Sequence, residues 1–96
     1  MSTTIQPRRL AERLCTTIRD CRIALEIPVE VFAANIHQSV PTLMKLERAA
    51  INPSYKLIRD CAKALDMSVR ELIEISIIGH ITVLVDEAEF HLRDSA

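Results

Sequence analysis

The sequence predicts an all-α fold of five short helices followed by a C-terminal extension. Three observations carry that reading. Apolar residues recur at steps of three and four in several separate stretches, the spacing of one helix face. Ser and Pro stand in front of those stretches, where helices start. The composition also opposes a β fold, with one Gly, no Trp and 3% aromatic residues. The same figures argue against a Gly-rich phosphate loop or an aromatic base-stacking surface. At 96 residues, 49% hydrophobic and 26% charged, the chain has the length and balance of one packed domain.

Each element has its own justification. Pro7 suits a first helical turn, and Leu10, Leu14, Ile18, Cys21 and Leu25 follow at helical spacing, giving a first helix over about 8–25. Glu26-Ile27-Pro28 interrupts it, and Pro28 starts a short second helix over roughly 29–35 that buries Val31 or Phe32, and Ala33. Asn35-Ile36-His37-Gln38 reads as a tight turn. Ser39 caps the third helix, which has Pro41 in its first turn and Leu43 and Leu46 facing inward, and runs to about Ala49. Ser54 caps a fourth helix whose inner face is Leu57, Ile58, Cys61, Ala62 and Leu65. Ser68 to Glu71 matches a capping box and opens a fifth helix that ends before Gly79. Domain 8–78 is then followed by a segment, 79–96, that fits a strand through its β-branched residues or a helix through Ile81, Leu84, Val85, Ala88 and Leu92.

Several functions find no support. The longest apolar run, Ile75 to Val85, is broken by Ser76, Gly79, His80 and Thr82 and is too short to span a bilayer. Met1 to Arg9 lack the apolar core of a secretory signal, so the expected compartment is the cytoplasm. Cys15, Cys21 and Cys61 match no zinc or redox spacing and read as small buried residues in a reducing environment. His37, His80 and His91 are scattered, and no nucleophile–base arrangement stands out. Neither an enzyme, a metal site nor a cofactor is expected.

Five short helices, with the second and third joined by a turn of a few residues, describe a helix-turn-helix domain. Residues 18–73 resemble the lambda-repressor-like, Cro-type (XRE) helix-turn-helix family without gaps. Carrying the resemblance are Ile18-Arg19-Asp20-Cys21-Arg22, Phe32-Ala33, Thr42 to Arg48, Asn52-Pro53-Ser54 and, most specifically, Ala62 to Leu72. It implies a salt bridge between Arg22 and Glu47 that ties the first helix to the recognition helix. It also places DNA contact on Ser39, Val40, Pro41, Thr42, Met44, Lys45 and Arg48, with Arg48, Asn52 and Lys56 holding phosphates. Lys45 would donate to guanine, Thr42 would bond a base or phosphate, and Val40 or Met44 would touch thymine methyls. Arg19 and Arg59 would add distant attraction.

The sequence also departs from the family pattern. Val40 and Pro41 stand where polar residues usually face bases, and Val29 stands where a Gln commonly meets phosphate. His37 replaces the small residue of the turn, and Glu26 stands where the family often has Gly. A left-handed backbone at His37 would cost about 1–2 kcal/mol. Direct base reading is therefore thin, and DNA shape gains weight.

The net charge of −1 conceals a division. Residues 1–70 hold 11 basic and 7 acidic side chains, a surplus of +4, whereas residues 71–96 hold 1 and 6, a deficit of −5. The expected function is a transcriptional regulator, a repressor binding a palindromic operator in double-stranded DNA as a homodimer, with Ile81, Val83, Leu84 and Val85 in the dimer contact. The competing expectation is a protein-interaction module on the same fold (an anti-repressor, antitoxin or adaptor) with Val29, Val40, Pro41 and Met44 as its exposed apolar patch.

Overall fold

The computed structural model describes residues 7–79. Among them the chain is entirely helical, with five helices and no strand: α1 (Pro7–Ala24), α2 (Val29–Asn35), α3 (Val40–Glu47), α4 (Tyr55–Ala64) and α5, whose described part is 69–79. α3 packs against both α1 and α2, and α2 also packs against α4. The extension beyond 79, with Ile81, Val83, Leu84 and Val85, lies outside the described residues.

One core joins all five helices. Leu14, Cys15 and Ile18 of α1 meet Phe32, Ala33, Leu43, Leu46, Cys61, Ala62 and Leu72, each almost fully buried. Ala33 is small where α2 lies against α3, and a larger side chain there would separate the two helices. No helix among the described residues is long and apolar enough to cross a membrane.

Serine caps set where the helices begin. Ser39 Oγ accepts from the Thr42 amide at 3.3 Å, Ser54 Oγ from Leu57 at 3.2 Å and Ser68 Oγ from Glu71 at 3.0 Å. Each bond satisfies one of the free amides of a first turn. α2 starts without a side-chain cap, because Pro28 occupies that position. There Ile27 and Phe32 hold the two positions of a hydrophobic staple.

The helix ends share one device. Glu26, His37, Ala49 and Asp66 all have left-handed backbones, with φ between 56° and 58°. In every case the following amide reaches back to the third-last helical carbonyl: Ile27 to Arg22, Gln38 to Ala33, Ala50 to Lys45 and Met67 to Ala62, at 2.8–3.1 Å. The left-handed residue itself donates to Ile23, Ala34, Leu46 and Lys63 respectively. These are four Schellman motifs, built without a single glycine. The strain expected at His37 is thus present there and at three further helix ends.

Three expectations about the core and the boundaries need correction, and one alternative is decided. Leu25 is 55% exposed, because α1 ends at Ala24 and the chain turns before Leu25 can pack. The alternative between Val31 and Phe32 is decided for Phe32, which is fully buried. Ile36, read as part of the turn, is fully buried and serves as the C-cap of α2. Gly79 does not end α5 but lies within it. A Cβ at Gly79 would come within 2.9 Å of Arg13 Nη2, so the missing side chain makes room for α1's guanidinium.

Candidate nucleic-acid interface

α3 separates its two faces cleanly. Leu43, Leu46 and Glu47 are buried, while Pro41, Met44, Lys45 and Arg48 are exposed at helical steps along the outer side. Asn52, in the loop after α3, and Lys56, in the first turn of α4, are exposed as well. Arg59 and Lys63 extend the exposed cations along α4 at steps of three and four.

The first turn of α3 is internally bonded. Ser39 Oγ accepts from the Thr42 amide and donates its own proton to Thr42 Oγ1 at 2.9 Å. Ser39 is thereby committed to its cap. Thr42, with its oxygen accepting, keeps its own hydroxyl proton for a partner outside. Val40 is less open than its neighbours Pro41 and Met44. It is half-buried and packs against the core, as does Val29 at the start of α2. Of the four residues in the supposed apolar patch, only Pro41 and Met44 are therefore exposed, and Met44 is only 37% exposed.

A buried ion pair fixes α3 in place. Arg22 Nε donates to Glu47 Oε2 at 2.7 Å and Nη2 donates to Oε1 at 3.0 Å, a two-pronged contact. The remaining Nη1 donates to the Ile27 carbonyl at 3.0 Å, so one guanidinium joins α1, the α1–α2 junction and the end of α3. The hydrogen bond from Glu47 raises the Arg22 pKa above its ordinary value, against the opposing effect of burial. Glu47 is also the sole acidic residue of α3. With it buried and paired, the outer face of α3 carries only positive charge.

Arg19 is less available than its sequence position suggests, since it pairs with Asp20 at 3.2 Å on the surface. Tyr55 is a surface residue that the sequence did not single out. It begins α4 between Asn52 and Lys56 and is 67% exposed. The signal was available: an aromatic residue directly after a capping serine, flanked by two polar candidates.

The cysteines do not form a reactive cluster. Cys15, Cys21 and Cys61 are free thiols, and burial raises the pKa of each, Cys61 to about 12. Such thiols stay protonated at neutral pH and pack as apolar groups. Among the described residues, no group of three His, Cys, Asp or Glu side chains is placed to hold a metal ion.

No protein-family model matches this sequence, and no curated protein matches it either. Similar solved structures include two of the clp gene regulator ClgR from Corynebacterium glutamicum. One has a TM-score of 0.71 at 23% identity, covering 85% of this chain and 86% of that one. The other has a TM-score of 0.66 at 24% identity, covering 81% and 96% respectively. The chain shares the ClgR fold. That likeness spans most of both chains, so the order and placement of the helices are common to the two.

Proposed function

We propose that this chain is a sequence-specific DNA-binding transcriptional regulator of the lambda-repressor-like, Cro-type kind, a repressor that binds a palindromic operator as a homodimer. The observation that carries the reading is the outer face of α3. Its exposed residues, Pro41, Met44, Lys45 and Arg48, continue into Asn52 and Lys56, with every acidic group of that helix turned inward. Held by the Arg22–Glu47 pair, this face is a rigid, positively charged ridge of the width a major groove admits. Fold likeness to a protein described as a gene regulator supports the same reading.

Within the site, Lys45 reads guanine, Met44 and Pro41 touch thymine methyls, and Thr42 donates its free hydroxyl to a base edge or a phosphate. Arg48, Asn52 and Lys56 hold the backbone in register. Ser39 acts through the helix by capping it, and Val40 acts through the core. The protein-binding alternative loses ground because two of its four apolar residues, Val29 and Val40, are partly buried against the core.

Residues 8–78 form the DNA-binding domain, and 79–96 form the dimer segment with Ile81, Val83, Leu84 and Val85. Exposed Ile75 and Ile78 on α5 lead into that segment with apolar surface already outside the core. A palindrome follows from two-fold symmetry, with half-sites about 34 Å apart. Selection of bound duplexes from a random library tests this directly. An enriched palindrome with that spacing is the expected outcome; a pool that stays random after repeated rounds contradicts it.

A further inference from the structure

The exposed side chains of α4 all stand on one face. Tyr55, Lys56, Arg59 and Lys63 are exposed, and at 3.6 residues per turn they fall within an arc of about 100°. Lys63 comes two turns after Lys56 and only about 20° around the axis from it, and Arg59 is about 60° from Lys56. The three cations are spread over about 10 Å of helix. No ion pair or side-chain hydrogen bond among the described residues engages any of them, whereas Arg19 and Arg70 are held by Asp20 and Glu74. Asp60, the sole acid of α4, is half-buried at the edge of this face.

We propose that Tyr55, Arg59 and Lys63 form a second contact track for the DNA backbone, gripping phosphates beyond those held by Arg48, Asn52 and Lys56. The track rests on the function proposed above, since Lys56 sets its direction. Whatever strand Lys56 reaches, Arg59 and Lys63 are turned to the same side of a rigid helix. Duplex DNA carries one charge per about 3.4 Å of axis along each strand, so the 10 Å or so between Lys56 and Lys63 matches about three phosphates.

The side chains suit that partner. Free cations give up no internal partner on meeting a phosphate, so each contact releases its counterion in full. Tyr55 opens the track with a neutral hydroxyl donor, one of the groups that bond phosphate oxygens. It stands between Asn52 and Lys56, so the face of α4 continues the surface that begins on α3.

The test measures the affinity of the full chain for a random-sequence duplex several helical turns long, by fluorescence anisotropy across a range of salt. Arg59→Gln/Lys63→Gln should bind severalfold more weakly, with a salt slope reduced by about 1–2. Tyr55→Phe should weaken binding and leave the slope unchanged, because the lost hydroxyl carries no charge. Arg19→Gln/Arg70→Gln removes the same charge from outside the track and should alter the slope far less. Circular dichroism establishes that each variant is folded. Parental affinity and slope in Arg59→Gln/Lys63→Gln, or an equal loss of slope in Arg19→Gln/Arg70→Gln, refutes the track and leaves the role of α3 standing. Parental affinity in Tyr55→Phe removes Tyr55 from the track. A parent chain that binds no duplex at any salt refutes the proposed function, and the track falls with it.

Discussion

Glu26, His37, Ala49 and Asp66 show how the fold accepts strain at single residues. A left-handed backbone costs an L-residue about 1–2 kcal/mol, and glycine in its place adds about 0.5–1 kcal/mol of entropy to the unfolded chain. Ala49→Gly should therefore stabilise the protein by about 0.5–1 kcal/mol, measured by urea unfolding. Asp66→Gly should gain less, because Asp tolerates this conformation better than Ala. The sequence pointed to His37 and Glu26 only through the family pattern. Ala49 and Asp66 could not be read, since neither Ala nor Asp marks a helix end the way Gly does. Cys61 gives a second test at this scale. Its thiol pKa is pushed from the ordinary 9.0 to about 12, mainly by burial, so the neutral form belongs to the folded state. The unfolded chain then loses this proton first, and stability should fall as pH rises from 9 toward 12, by up to about 4 kcal/mol. Thermal melts across that window should show a shallower decline for Cys61→Ala than for the parent.

Between elements, the decisive contact is the one that sets α3 against α1. Arg22 and Glu47 are 25 residues apart, and no local spacing connects them. Their pairing was legible only as an implication of the family resemblance. Both are nearly buried, so removing one partner leaves an uncompensated charge in the core. Arg22→Ala or Glu47→Ala should cost about 3–5 kcal/mol in chemical denaturation, and replacing both by apolar residues of similar size should cost much less. Comparable losses from the single and the double variants would mean that the pair matters through packing alone. Helix starts were more legible than helix ends because Ser39, Ser54 and Ser68 are local hydrogen-bonding signals. Burial at the edges was harder to read. Val40, a base contact by the family pattern, is half-buried against the core. Ile36 looked like turn because Asn and His surround it, yet it seals α2 against the core.

For the whole molecule, the charge division of the sequence acquires a structural meaning. The surplus of +4 falls on residues 1–70, which hold α3 and its exposed cations, and the deficit of −5 falls on 71–96. A body of such modest charge should hold DNA weakly alone and need a second copy, which would add contacts without a new binding face. Light scattering on the full chain should give a dimer, and a chain ending at Ile78 should be monomeric. An unchanged mass after that truncation would place the dimer contact elsewhere.

The claim on which the rest depends is that the outer face of α3 meets DNA phosphates and bases. Its most direct test is the affinity for duplex DNA as a function of salt, for the parent chain and for Lys45→Ala/Arg48→Ala. Affinity for the parent should fall linearly on logarithmic axes, and the double variant should bind more weakly with a slope reduced by about 1–2, as released counterions require. Identical affinity and slope in the two proteins, or no binding by the parent even at low salt, would contradict it.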